Sequence, residues 1–164
     1  MILSPTVVEE AGAAILRGAD AVIVPQATIG TGFWTRVRAF ELSFYDSDDG
    51  VEAARFFRIV LFGALGGFDE SLDAAEEWDL TIRARAIGQV GRMSVPIEHD
   101  EGRVRYVAHC RKKAPYALGI AKSMAKHGMQ ELRKVLAPPY LLRPWRLVVP
   151  HPLLGVGVVV LTAW

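Results

Sequence analysis

A helix pattern that runs straight into a short apolar strand constrains this chain more than any other feature. Ser4 and Pro5 open the helix: the serine can cap it, and the proline ring is pre-set for the first turn. Glu9 and Glu10 are expected near its positive end, and Gly18 stops it. Ala19–Asp20–Ala21–Val22–Ile23–Val24–Pro25 then reads as a short buried strand. Helix followed at once by strand predicts an α/β layer fold with a parallel sheet. The 164 residues suffice for one domain with a modest core. Apolar residues at 51% and charged residues at 23% exclude a disordered, collagen-like or low-complexity chain. The single cysteine, Cys110, excludes an internal disulfide framework and a Cys-rich zinc site, and is expected to be a small buried apolar residue.

Further along, residues 26–32 (QATIGTG) read as a turn-rich loop. Phe33 to Phe44 reads as a helix with Phe33, Val37, Phe40 and Phe44 near one face. A polar loop over 46–50 precedes a second strand at Ala54–Arg58, then a short helix up to Gly66–Gly67. Residues 77–87 read as a helix ended by Gly88, residues 91–97 as another strand, and 104–127 as mostly helical with a break or kink at Pro115. Pro138, Pro139 and Pro144 punctuate a linker before an apolar run from Leu147 to Trp164. About three strand candidates are few for a doubly wound sheet. The chain starts at a helix and ends inside an apolar run, so it reads as an excerpt of a longer protein; the alternative is a small complete domain with an apolar tail. No internal repeat or secretory signal appears.

Charge is split along the chain. Residues 1–102 hold 8 Arg/Lys and 17 Asp/Glu, a net of −9, whereas 103–164 hold 11 Arg/Lys and the single acid Glu131, a net of +10. An acidic half can hold cations and activate hydroxyls. A basic half suits a phosphate-rich surface, either membrane or nucleic acid. The apolar run that follows favours membrane over nucleic acid. Its 18 residues fall just short of the ~20 that span a bilayer and include Pro150, His151 and Pro152, which suits an interfacial or truncated membrane helix.

The stretch richest in chemistry is Gly66–Gly67–Phe68–Asp69–Glu70–Ser71–Leu72, then Glu76–Glu77–Trp78–Asp79–Leu80, then Arg83. Glu76 and Glu77 stand at a predicted helix start, where peptide dipoles keep a carboxylate ionised. Such a group suits a general base that takes a proton from an incoming hydroxyl. The plainer reading makes these acids caps and a solvated face, with Asp79 and Arg83 an i,i+4 pair. Arg55 and Arg58 could hold a phosphate and Trp78 could stack on a sugar, or all three could serve ordinary pairing and packing. No Walker loop, Gly-x-Gly-x-x-Gly fingerprint or Gly-x-Ser-x-Gly elbow is present, which argues against a P-loop NTPase, a dehydrogenase and a common serine hydrolase.

GGFDE, a spacer, EEWDL and a following Arg resemble the acceptor-side signature of family 2 glycosyltransferases, whose usual form is GGFDE, a spacer, Glu-Asp, one residue, Asp-Leu and a later Arg. EAARFFR before it and His99–Asp100–Glu101–Gly102–Arg103 after it resemble one bacterial and archaeal branch, as does the tail HPLLGVGVVVL. The likeness covers roughly residues 1–130. It implies an incomplete GT-A (Rossmann-like) three-layer fold over 1–103, followed by a basic amphipathic helical segment over 104–138 and an apolar membrane-proximal helix over 139–164.

The activity implied is inverting transfer of a sugar from a nucleotide-sugar donor to a hydroxyl, on a glycan or a lipid-linked acceptor. Glu76 matches the family Glu. Glu77 stands where the family has its basic Asp, one methylene shorter. With Glu77 as base, Glu76, Trp78, Asp79, Arg55 and Arg58 are the expected substrate-binding residues. A divalent cation, Mg²⁺ or Mn²⁺, is implied with His99 as a ligand, although His99 bonding to nearby backbone is an equal alternative. His109, His127 and His151 lack companion ligands and are expected to be structural. The family's DxD motif has no match at a strand end, since Asp46–Ser47–Asp48 follows a helix. The implied donor-binding half therefore precedes Met1, and residues 1–164 alone are expected to be inactive. The implied location is the cytoplasmic membrane face, peripheral or anchored by the C-terminal helix. The competing expectation is a non-catalytic module that keeps the fold remnant and binds membrane or a partner.

Overall fold

In a computed structural model the described residues are 4–46, 48, 52–72, 74–128, 145 and 149–162, with the side chains of 112–118 and 124 outside the description. The expected proline linker lies outside the described residues. Helix α1 (Pro5–Leu16) starts as its sequence dictates: Pro5 occupies the first turn and the Thr6 N–H donates to Ser4 Oγ at 3.4 Å. Strand β1 (Ala21–Ile23) follows, buried throughout. Its side chains alternate, as a strand requires. Val22 and Val24 pack with Val7, Ala11 and Ala14 of α1, while Ala21 and Ile23 pack with Ala54, Leu61 and Ala84 on the opposite face. Those last two residues belong to α3 (Ile59–Ala64) and α4 (Glu76–Ile87), so helices cover both faces of the sheet.

That sheet is mixed, not parallel as expected. Its order is β3-β1-β4, with β3 (Ala54–Phe57) antiparallel to β1 and β4 (Val90–Arg92) parallel to it. A parallel neighbour needs a crossover packed on the sheet. Helix α2 (Phe33–Ser43), which lies between β1 and β3 in sequence, packs elsewhere, so the chain re-enters in the reverse sense.

Two further expectations are corrected by one pairing. Residues 26–32 are not all loop, because β2 (Gln26–Ile29) pairs in parallel with β5 (Ile97–Asp100), setting Thr28 beside His99. Nor is 91–97 a single strand. The chain turns at Ser94–Val95, where Glu10 accepts from the Ser94 N–H at 2.8 Å, the Ser94 hydroxyl at 2.6 Å and the Val95 N–H at 2.9 Å. These bonds, the Ser94 hydroxyl's first, hold Glu10 below the usual carboxylate range. Glu10 therefore serves a distant turn instead of the start of its own helix.

Helix α5 (Tyr106–His127) runs unbroken through Pro115. Helix α6 (Pro152–Thr162) lies on α2, with Val158 and Leu161 against Val37 and the rings of Trp34, Phe40 and Tyr106 alongside. A Cβ on Gly157 would stand 2.5 Å from Val37 Cγ2, so glycine sets this approach. Cys110 is half-buried, more exposed than expected. Among the described residues no helix is long and apolar enough to cross a membrane.

Candidate active site

The carboxylate-rich stretch forms the loop between α3 and α4. Gly66 and Gly67 have φ of +74° and +75°, the left-handed region that glycine enters without a Cβ penalty. Ala75, at φ +69°, caps α4 without a side-chain hydrogen bond. Glu76, Glu77 and Asp79 follow in the first turn, where the helix dipole favours their charge. Gly88 ends the helix where expected.

Asp79 is fully buried and densely partnered. Arg83 Nε donates to its Oδ2 at 2.8 Å, while His127 Nε2 and Lys126 Nζ lie 2.6 and 2.7 Å from Oδ1. The other Arg83 nitrogens hold the Leu65 carbonyl at 2.6 Å and the Gly67 carbonyl at 2.8 Å. Lys126 also meets Asp69 Oδ2 at 2.7 Å, and Lys122 donates to the Ser71 carbonyl at 3.1 Å. Burial raises the Asp79 carboxyl, but the hydrogen bonds from Lys126, His127 and Arg83 outweigh it and leave the group below its ordinary range. Asp69 is lowered too, by Lys126 first and then by Ser71, and both carboxylates raise Lys126. A Cβ on Gly119 of α5 would come within 2.7 Å of Ala74, so this helix sits directly on the loop. The i,i+4 pairing of Asp79 and Arg83 is thus present, inside a larger network.

Glu77 lies on a different side of α4. Arg55 Nη1 on β3 donates to Glu77 Oε1 at 2.8 Å, and the Gln26 amide, oriented oxygen-inward, accepts from Arg55 Nε at 3.1 Å. Thr81 fixes this pairing: its hydroxyl donates to the Glu77 carbonyl at 2.7 Å and accepts from the Ala54 N–H at 2.9 Å, so helix and strand are locked in register. Glu77 and Arg55 line a cavity of about 470 Å³ whose other walls include Phe56, Phe57, Phe62 and Phe68. A carboxylate at the rim of a largely apolar cavity, held by one guanidinium, can take a proton from a bound hydroxyl.

The other expected site residues are dispersed. Glu76 and Trp78 are half-buried on α4 and do not line this cavity. Arg58 turns away, donating to the Ile15 carbonyl at 2.7 Å and the Ala19 carbonyl at 3.1 Å, where it fastens the end of α1. His99 is exposed on β5, and Asp100 beside it accepts from the Gly102 N–H at 2.7 Å. Among the described residues no group of three or more His, Cys, Asp or Glu is placed to hold a metal ion. A larger hollow of about 800 Å³, bordered by Glu10, Asp46, Glu52 and Arg92, contains none of the motif residues. Lys126 and His127 were not foreseen as part of the site; the one available signal was a basic helix end facing an acidic loop. Comparison with protein-family models, curated proteins and solved structures finds no match.

Proposed function

We propose that this chain supplies the acceptor side of an inverting glycosyltransferase of the family 2 type, on a GT-A fold, with Glu77 as general base. The observation that carries the reading is the Arg83 clamp. Arg83 hydrogen-bonds both Asp79 and the Gly67 carbonyl, which the resemblance groups with it only by order along the chain, and Glu77 of the same helix lines a cavity. In the reaction Glu77 accepts the proton of the acceptor hydroxyl. The freed oxygen bonds to the anomeric carbon of the donor sugar as the bond from that carbon to the nucleoside diphosphate breaks on the opposite face, which inverts the centre. Arg55 holds the Glu77 carboxylate in position. A divalent cation would stabilise the departing diphosphate; among the described residues no group of three or more His, Cys, Asp or Glu is placed to hold it.

The test is sugar transfer from a panel of nucleotide sugars by the intact gene product. Glu77→Gln should lower kcat by about 10²-fold or more and leave donor affinity unchanged, as expected for loss of a general base. Unchanged turnover overturns the assignment. A second reading, a non-catalytic module, draws on the ion pairs that occupy Asp69 and Asp79. Absence of transfer for every donor, together with retained binding of a membrane or partner, selects it.

A further inference from the structure

The cavity beside Glu77 limits what can carry the acceptor hydroxyl. Its volume of about 470 Å³ lies within the range that encloses a small organic ligand. Phe56, Phe57, Ile59, Phe62 and Phe68 line it, and among the described residues Arg55 and Glu77 supply its polar side chains. Those two are bonded to each other, Arg55 Nη1 donating to Glu77 Oε1 at 2.8 Å. A sugar presents a hydroxyl on nearly every carbon, and most of these would lose water here without gaining a partner. A body with one hydroxyl and no other polar group avoids that cost.

The wall favours a flat ring over a chain. Phe57 and Phe62 meet edge to face with centroids 6.1 Å apart, and Phe62 and Phe68 do so at 5.7 Å. Rings in this geometry attract one another beyond the area they bury. Phe68 ends the row at 48% exposure, so the row is open to one more ring. The base argues the same way. A carboxylate is a weak base, and a phenol ionises near about 10 against about 15.7 for bulk water, so a phenolic hydroxyl is the easier one for Glu77 to deprotonate. Arg55 occupies Oε1, which leaves Oε2 to receive that proton. We propose that this cavity takes an aryl alcohol of one or two rings, its flat body against Phe57, Phe62 and Phe68 and its phenolic hydroxyl on Glu77. That this ligand is the acceptor rests on the reading of Glu77 as the base. The phenolic proton passes to Oε2 and the phenolate oxygen bonds to the anomeric carbon. The bond from that carbon to the nucleoside diphosphate breaks, and its electron pair leaves with the diphosphate.

The test separates binding from turnover. The whole chain is titrated into 2-naphthol without any donor, and the anisotropy of the naphthol fluorescence gives the affinity. Three further compounds are measured by competition. Decahydro-2-naphthol has a similar outline but no π face and should bind about fivefold more weakly. 2-Methoxynaphthalene has no proton to give and should bind about tenfold more weakly. Methyl glucoside should not compete. Phe68→Leu keeps apolar bulk but removes the ring; it should cost about fivefold for naphthol and little for the saturated alcohol. Phe62→Leu is the second variant and should show the same contrast, with thermal unfolding curves confirming that both fold. Naphthol binding that is absent or indifferent to both leucines, or displacement by methyl glucoside, overturns the proposal. A saturated alcohol that binds as tightly as naphthol also overturns it and assigns the cavity to an aliphatic body. The intact gene product is then given naphthol and a panel of nucleotide sugars. A naphthyl glycoside whose formation Glu77→Gln abolishes supports both the cavity's ligand and the base. Naphthol binding that the leucines weaken, without transfer from any donor, supports the aryl site and overturns Glu77 as the base.

Discussion

The Arg83 guanidinium spans from the buried Asp79 carboxylate, 2.8 Å from its Nε, to the carbonyls of Leu65 and Gly67. One side chain thus carries both the compensation of a buried charge and the shape of the glycine loop. Removing one partner from a buried ion pair leaves the rest uncompensated, which typically costs about 3–5 kcal/mol. Asp79→Ala should destabilise the chain by that order, measured as a fall in the urea midpoint. An unchanged midpoint would mean that the loop does not depend on the clamp.

Thr81 makes a narrower prediction. Thr81→Val keeps the shape but removes the acceptor for the buried Ala54 N–H. A buried donor left without a partner costs about 1–3 kcal/mol. Thermal denaturation should show a loss of this size, and Thr81→Ser, which restores the hydroxyl, should recover most of it.

At Gly157 the prediction concerns contact between helices. Alanine is the better helix former by about 1 kcal/mol. Its Cβ, however, would press on Val37 Cγ2 at 2.5 Å, and overpacking of this kind costs about 1–3 kcal/mol. Gly157→Ala should therefore be neutral to destabilising, and combining it with Val37→Ala should relieve the clash. A stabilised single variant would show that α6 does not sit this close to α2.

Stability should also depend on pH through Lys126. Asp69 and Asp79 have lowered carboxyl pKa values in the fold, so their contribution is present above the unfolded value of about 4 and is lost as pH falls through the lower folded value. Lys126 is raised, so its contribution is present below the unfolded value of about 10.4 and is lost as pH rises through the higher folded one. Urea midpoints should form a plateau between about pH 5 and 9 and fall on both sides. Lys126→Met should lower the plateau and flatten both limbs. Limbs of unchanged slope would place the titrating groups elsewhere.

Local chemistry determined several features without help. Ser4 and Pro5 mark the start of α1, the apolar run around Val22 makes a buried strand, Gly88 ends α4, and the i,i+4 spacing pairs Asp79 with Arg83. Each depends on neighbours within a turn or so of helix, where periodicity and capping act. Other features needed partners far along the chain. Gln26–Ile29 has no strand pattern of its own and becomes one because Ile97–Asp100 supplies a ladder. Glu10 looks like a helix-start acid and instead holds the turn at Ser94, 84 residues away. Arg55 and Arg58 look alike in sequence, yet one meets Glu77 and the other fastens the end of α1, since residues an odd number of positions apart along extended backbone face opposite sides. Lys126 and His127 reach Asp79 only because Gly119 lets α5 lie against Ala74. Spacing along the chain identified which residues carry charge; packing between distant elements decided which of those charges meet.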